Sequence, residues 1–507
     1  MTAPRRTPSR APGRRLLDQA RHPTTRVAVL ALVTGAIAVA VALDLGAGEG
    51  ARPTRAAASG PTVPGSDAAS ATWYCPEGTG STGGRADETI WIGNVGDSAA
   101  RADITVMPGG DTEPATRRVT VPERGQLRVP VSNVLEAAEQ PDPAGTIVGP
   151  GVVVEVFGGR SVVEHEIVGL ADGQTDVAVG PCAREAGRNW YFGAGTTERG
   201  AEQSLALFNP FADDAILDLS FVTDAGFVAP ADLQSLVVPR RTRVTVPLGN
   251  FVRRQAQVGA HVQVRTGRVV AEQSLAFTSE NETRRGVTLS LGAPAPAKSW
   301  TLPGVVSEEG AAHAVYIANF GVTATEIEVG PRLEDENRAA PAIVQVAGRS
   351  ALAVDLRPLV EVGVAFDVEV RAARDAPVVA AQLASWGPPT AAIGSATALG
   401  SPASSRSWAF AVTRFAADDA ATVSVFNPNR STATVSLLAY SGGDEPAGAP
   451  ELSIEAGKQG TFDLAELGIA PDQLVVVRAN VAVMAVRRIL GPGGAALAPG
   501  VPDPHAP

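Results

Sequence analysis

The residues in this chain best able to do chemistry are carboxylates, and their densest run is Glu164-His165-Glu166. Such a run invites a metal or acid–base reading. The surrounding sequence reads as a strand, however, where successive side chains point to opposite faces. The two glutamates then share one face and His165 takes the other. A zinc site needs three or four converging ligands. The other histidines are His22, His261, His313 and His505, with no helical His-x-x-x-His pair, so no metal site is expected. Acidic pairs recur at Asp87-Glu88, Glu308-Glu309 and Asp418-Asp419, with Glu202 placed similarly in a further segment. Oxygen-rich loops at the end of a β-sandwich can hold Ca2+. None of these shows an ordered ligand spacing, and solvated acidic residues are the expectation.

Other chemistries leave little trace. Gly78-Thr79-Gly80-Ser81-Thr82-Gly83 matches the dinucleotide fingerprint by letters. That fingerprint works only between a strand and a helix whose N-terminus faces the pyrophosphate, and no helical pattern follows. It reads as a loop. The chain has no Gly-x-Ser-x-Gly elbow, phosphate loop or His-centred triad pattern. Paired carboxylates, Glu164 with Glu166 or Asp418 with Asp419, could serve a glycosidase. No catalytic residue and no cofactor is expected, and an exported hydrolase stands third among the function classes.

Only two cysteines are present, Cys75 and Cys182. Outside a membrane such a pair tends to oxidise, and a disulfide across so long a loop would add several kcal/mol in the chain-entropy model.

The elements that must position these residues begin with a basic head. Residues 1–26 hold seven arginines against Asp18, which leaves 35 basic and 52 acidic residues beyond them, a net of −17. A basic head on an acidic body argues against nucleic acid as a partner. The stretch 27–45 begins with an uncharged apolar run, Val27 to Leu43. It reads as one transmembrane helix acting as a signal anchor, with the arginines cytoplasmic and the body outside. The alternative is a signal peptide cut after Ala40-Val41-Ala42, giving a secreted protein. Residues 46–71 are small and Pro-broken and read as a flexible linker.

From residue 72 on, a tryptophan followed about nineteen residues later by an asparagine occurs four times: Trp73 with Asn94, Trp190 with Asn209, Trp300 with Asn319 and Trp408 with Asn427. Each copy continues through short alternating strands and then two valine-rich ones. In the second copy eight strand-like runs fall at 189–193, 203–209, 215–223, 233–239, 242–248, 260–265, 269–277 and 286–291, with turn residues between them. That is the pattern of a β-sandwich. The fold class is therefore all-β, four tandem sandwiches at 72–182, 183–297, 298–404 and 405–495, with a disordered tail at 496–507. Each Trp would bury a large area at its sandwich opening, and each Asn would start a turn where its strand ends.

The "apolar strand–Asn-Pro" opening (Phe208-Asn209-Pro210), the "Val-x-Val-Pro/Asp-Leu" middle and the "Val-Val-Ala-Glu-Gln" closing strand (Val269 to Gln273) carry a resemblance. Behind a basic single-pass N-terminus, they resemble an uncharacterised actinobacterial family of exported, membrane-anchored proteins built of bacterial Ig-like β-sandwich repeats. The likeness covers most of residues 72–495. The family has no established catalytic or binding residues to carry over. Its genes tend to adjoin envelope glycosyltransferase genes, which implies a part in cell-envelope assembly. The chain departs from the pattern at Asn319-Phe320 and Asn94-Val95, which lack the Pro, and at Arg487-Arg488, which replaces Glu-Gln.

The expected function is a non-enzymatic extracytoplasmic scaffold or accessory protein at the cell membrane, with an envelope partner such as a membrane glycosyltransferase. The alternative is a module binding wall polysaccharide. Trp91 and Trp386, the tryptophans outside the repeat-opening position, are its candidate glycan contacts.

Overall fold

The computed structural model describes residues 60–506 apart from 79–85, 111, 136–149, 172–173, 279, 282–283, 334–339, 374–375, 391–392, 413–418, 444–445 and 447–448. The apolar run at 27–45, residues 46–59 of the linker, Asp418 and most of the Gly78–Gly83 loop lie outside the described residues. Among the described residues no helix is long and apolar enough to cross a membrane.

The second repeat shows how sequence becomes fold. Its opening strand Asn189–Phe192 pairs antiparallel with Val258–Thr266, which pairs with Ala215–Thr223, which in turn carries Gly226–Val228 and Leu236–Val238. A second sheet runs Thr242–Pro247, Ala201–Asn209, Val270–Phe277 and Gly286–Leu291. Alternation decides the faces: Leu217, Leu219 and Phe221 are fully buried while Asp218 and Ser220 between them are not. Trp190, Phe192, Leu205, Leu207, Val262 and Val270 join the two sheets in one core, which makes the repeat a sandwich-like module.

The other repeats have the same connectivity. The first uses sheets ordered Ser70–Cys75, Gly151–Phe157, Ala100–Met107, Ala115–Val121 and Gly125–Pro130, Ala86–Asn94, Ser161–Ala171, Gln174–Pro181. The third uses Ser299–Val306, Ala365–Ala372, Thr325–Leu333, Ala342–Val346 and Ser350–Asp355, Ala311–Asn319, Val379–Trp386, Gly394–Leu399. In the fourth, the two valine-rich strands fuse into one, Leu474–Gly491. Its first half pairs with Ser405–Phe410 and Ala433–Tyr440, its second with Ala420–Phe426 and Gly494–Pro499. In the first three repeats a 3-10 turn follows the strand that faces the asparagine, at Val131–Asn133, Leu248–Asn250 and Arg357–Leu359.

These modules are not beads on a string. Within residues 57–507, one compact unit, the last strand of each module packs against the last strands of two neighbours. Gln174–Pro181 meets Gly286–Leu291, which meets Gly394–Leu399, which meets Gly494–Pro499, which returns to Gln174–Pro181. The cycle is closed. Its centre accepts only small side chains: Asp176, Gly286, Gly394 and Gly494 occupy matching register positions on these four strands. A Cβ on Gly286 would lie 1.7 Å from the Asp176 carboxylate and one on Gly494 2.0 Å from it, so both must be glycine. Asp176 in turn accepts the Val177 and Val287 amides at 2.8 and 2.9 Å.

Two sequence expectations fail here. Much of the 496–507 tail is built into the fold: Gly494–Pro499 completes the fourth module, and Val501–Pro502 pairs with Trp408 and Ala409. Proline suits such an edge position because it has no ladder hydrogen bond to donate. Part of the 46–71 linker is also built in. Val63 is fully buried, its amide bonded to the Pro502 carbonyl at 2.9 Å, and Ser70 and Ala71 begin a strand.

Deleting residues 494–507 removes buried Ala495, Ala496, Leu497, Ala498 and Val501. The loss should be on the order of 5 kcal/mol at the usual value of apolar burial. Calorimetry should show the main unfolding transition shifted down or split; a melt unchanged from the full chain would be incompatible with the closed cycle.

Candidate functional site

Each module is pinned where its tryptophan and asparagine meet the start of the closing strand. Trp190, Trp300 and Trp408 donate their indole N–H to the carbonyls of Val269, Val378 and Val483 at 2.8, 2.8 and 2.9 Å. Trp73 donates to the Ser161 hydroxyl at 3.2 Å. In every case the ring on the opening strand is tied to the start of the closing strand or the residue just before it. The asparagines are equally uniform. Asn209 accepts the Phe211 amide and donates to the carbonyls of Asp213 and Val238. Asn94, Asn319 and Asn427 repeat this with Gly96, Ser98 and Pro122, with Gly321, Thr323 and Val346, and with Asn429, Ser431 and Ile454. These eight residues are buried and bonded within their own modules, which is a structural role.

Chemistry-bearing residues concentrate at the seams between modules. At one register position of the closing strands stand His165, Gln273, Gln382 and Arg487; one residue earlier stand Glu164, Glu272, Ala381 and Val486. Arg487 of the fourth module reaches Glu164 of the first through two bonds of 3.0 and 3.1 Å, and Glu164 also accepts the Val412 amide at 2.7 Å. His165 of the first module reaches Glu272 of the second through Nε2 at 3.1 Å, while Nδ1 meets Glu88 at 3.0 Å. Beside it Arg243 bonds Glu77 at 3.3 Å and the Pro76 carbonyl at 3.2 Å. The remaining seams are mainly apolar. Leu275, Phe277, Tyr316, Ala381 and Leu383 join modules two and three. Trp386, Ala396, Ala398, Val486 and Leu497 join three and four.

A second position repeats the logic. Gln126, Arg243, Ala351 and Gln459 each stand at or beside the residue in register with their module's asparagine. Gln126 donates to Pro471 of the fourth module, Arg243 bonds the first, and Gln459 accepts the Gly304 amide of the third. Ala351 packs on Val222 of the second.

The trio Glu88, His165 and Glu272 is fully buried. Burial alone would depress the imidazole, but the Glu272 and Glu88 carboxylates outweigh it and hold His165 protonated, raised to about 10. Burial pushes Glu88 up to about 7 despite the imidazolium beside it. The imidazolium is the firm charge, because two carboxylates share it. Burial likewise lifts Asp176 to about 7, whereas desolvation lowers the half-buried His261 and the buried His313 to about 4.

Cys75 and Cys182 form a disulfide with Cα atoms 4.7 Å apart. It ties the opening strand of the first module to the residue after its last strand. The two sulfurs and a His165 ring nitrogen lie within 4.8 Å of one another, which places three potential metal ligands together. The group does not fit a cation. Neither sulfur is a thiolate while bonded to the other, and both ring nitrogens face carboxylates.

Trp91 and Trp386, expected as glycan contacts, are 7% and 3% exposed. Trp91 donates to Glu166 at 2.9 Å, and Trp386 packs edge-on to His313 at the seam with module four. Neither offers a ring face to a sugar: Glu166 and Arg128 of its own module stand against Trp91, and the seam with module four covers Trp386. The paired carboxylates are dispersed too. Glu164 is held by Arg487, Glu166 by Trp91, and Glu308 pairs with Arg488. Asp419 is buried against Gly491. The seam partners Glu77, Glu272 and Arg243 were missed in the sequence; the arginine pair noted at Arg487-Arg488 was a signal for Arg487 alone, and the register sets Val486-Arg487, not Arg487-Arg488, against Glu272-Gln273.

Replacing Arg487 by Met strands the Glu164 carboxylate and should cost about 3–5 kcal/mol by chemical denaturation. The double change Arg487→Met and Glu164→Met should recover much of that, and losses that simply add would show the two residues uncoupled. For pH the sign follows from His165. A folded value raised from 6.5 to about 10 means the native state holds this proton where the unfolded chain releases it. Its contribution is complete below about pH 6.5 and is lost as pH rises through about 10. Thermal midpoints should therefore fall between those values, and His165→Gln should flatten the decline.

None of the curated proteins matches this chain. Among solved structures, one described as Thermotoga maritima 1070 is 18% identical, with 21% of this chain and 93% of that chain covered and a TM-score of 0.19. A tetra-tandem repeat from the extending region of a large adhesion protein is 12% identical over 86% of this chain and 100% of that one, with a TM-score of 0.10. A family model matches residues 160–465, from the closing strand of the first module to the fourth module. With that span matched, the chain belongs to the family of unknown function DUF5719.

Proposed function

We propose that this protein is a non-enzymatic, membrane-anchored extracytoplasmic scaffold or accessory protein of cell-envelope assembly, its body four bacterial Ig-like sandwiches tethered to the membrane by the 27–45 segment. The observation that carries the reading is where the ionisable groups sit. Glu88, Glu164, His165, Arg243, Glu272 and Arg487 are fully buried and are paired across or beside seams, so they serve to join modules. A body joined in this way holds its outer faces in fixed relation, which is what a scaffold must offer a partner. The basic head before the apolar run supports the orientation, and the Cys75–Cys182 disulfide suits an oxidising compartment.

Proximity labelling with the full-length protein in its native membrane, read by mass spectrometry, tests the reading. Enrichment of glycosyltransferases or other wall-assembly proteins is expected. Retention in the membrane with no enriched envelope protein would overturn it.

A further inference from the structure

Because the four modules share one plan, features common to all are explained by the fold, and a feature confined to one module points elsewhere. The second module carries a feature that the corresponding residues of the third do not repeat. An open cleft of about 320 Å³ is lined by Thr197, Arg199, Gly200, Gly249, Arg253, Arg254 and Glu280. All three arginines are exposed. Counting from the pinned asparagine, Arg199 stands where the third module has Glu309. Counting from the strand residue opposite that asparagine, Arg253 and Arg254 stand where the third module has Glu361 and Val362. A net of −17 beyond residue 26 makes a cluster of guanidinium groups more conspicuous still.

The cleft has a fixed frame. Thr197 donates its amide to the Gln255 carbonyl at 3.0 Å, and its own carbonyl accepts the Arg254 amide at 3.1 Å. The Thr197 hydroxyl accepts the Gln255 amide at 3.2 Å, and the Thr196 hydroxyl donates to the Gln255 carbonyl at 3.1 Å. On the far side the Thr278 amide bonds the Gly200 carbonyl at 3.0 Å. Gly200 cannot carry a side chain, since its Cβ would fall 2.4 Å from the Asn281 amide nitrogen. Arg254 sits at a φ of 55°, in the left-handed region that a non-glycine residue rarely takes. Arg199 bonds Glu280 at 3.3 Å on the rim, with both side chains largely exposed.

We propose that this cleft binds phosphate groups carried on a sugar or polyol. Three guanidinium groups against one carboxylate leave two positive charges, which matches a phosphate monoester dianion or two successive phosphodiesters. Guanidinium forks bond phosphate oxygens in pairs, and Glu280 opposite Arg199 leaves a carboxylate to accept a hydroxyl of the carrier. The inference stands apart from the scaffold reading: the purified chain binds such a phosphate with or without an envelope partner.

Isothermal titration of the full-length protein in detergent micelles tests it, with glycerol 3-phosphate, glucose 1-phosphate, inorganic phosphate and a galacturonate dimer as probes. The two organic phosphates should bind at one site, more weakly as salt is raised. Arg199→Ala with Arg254→Gly should weaken them by about tenfold or more, the usual value of a charge-assisted hydrogen bond. Glycine at 254 keeps the left-handed backbone. Arg240→Ala with Arg241→Gly, an equal loss of charge elsewhere on the same module, should leave binding unchanged. The proposal fails if neither organic phosphate binds, if the cleft variant binds as the parent does, or if the control loses as much. It fails too if inorganic phosphate or the galacturonate dimer binds as well as the organic phosphates.

Discussion

Four β-strands that pack about one centre leave almost no room for side chains, and this constraint governs the rest of the structure. The last strand of every module must stay in its own sheet and also meet two neighbours, so its inner positions shrink to Gly286, Gly394, Gly494 and the lone Asp176. Once the last strands meet, the closing strand beside each of them is brought to a seam. Whatever side chains it carries there must find partners or be apolar, because unpaired polar groups in such a place cost several kcal/mol.

The seams show two solutions to that requirement. Between modules two and three and between three and four, Leu275, Tyr316, Leu383, Trp386 and Leu497 make apolar contacts. The seams of the first module carry ion pairs instead, with Arg487 on Glu164 and His165 on Glu272. A buried ion pair adds little net stability over a well-packed apolar contact, but a mismatched one is strongly disfavoured. The ionic seams therefore discriminate between modules. Arg487, fully buried on the fourth module, finds its carboxylate on the first, and that fixes which ends of a repetitive chain come together. The disulfide acts on the same first module, tying Cys75 to Cys182 across a separation of 107 residues.

Internal repetition also serves as a comparison within one molecule. The Trp and Asn pins recur in all four copies, as expected for parts that every sandwich needs. Among the described residues the arginine cleft belongs to the second module, and the Glu–His–Glu trio to the seam of the first two. Differences among copies carry the information that a shared plan cannot.

Sequence by itself determined the local architecture. Alternation gave the strands, with 203–209 and 269–277 observed as Ala201–Asn209 and Val270–Phe277. The repeated Trp and Asn gave the number of copies, and the cysteine count gave the disulfide. These are properties of one strand and its nearest turn, written in consecutive residues. Tertiary structure alone decided what touches what between copies. Trp386 looks available in a sandwich taken singly, yet the seam with the fourth module buries it. Residues 496–507 look unstructured because Pro, Gly and Ala carry no periodicity, yet small residues are what the crowded centre admits. Glu164 and Arg487 are 323 residues apart in sequence. Nothing local relates them; only the closure of four modules brings that carboxylate to that guanidinium, and the cost of burying either one alone holds them there.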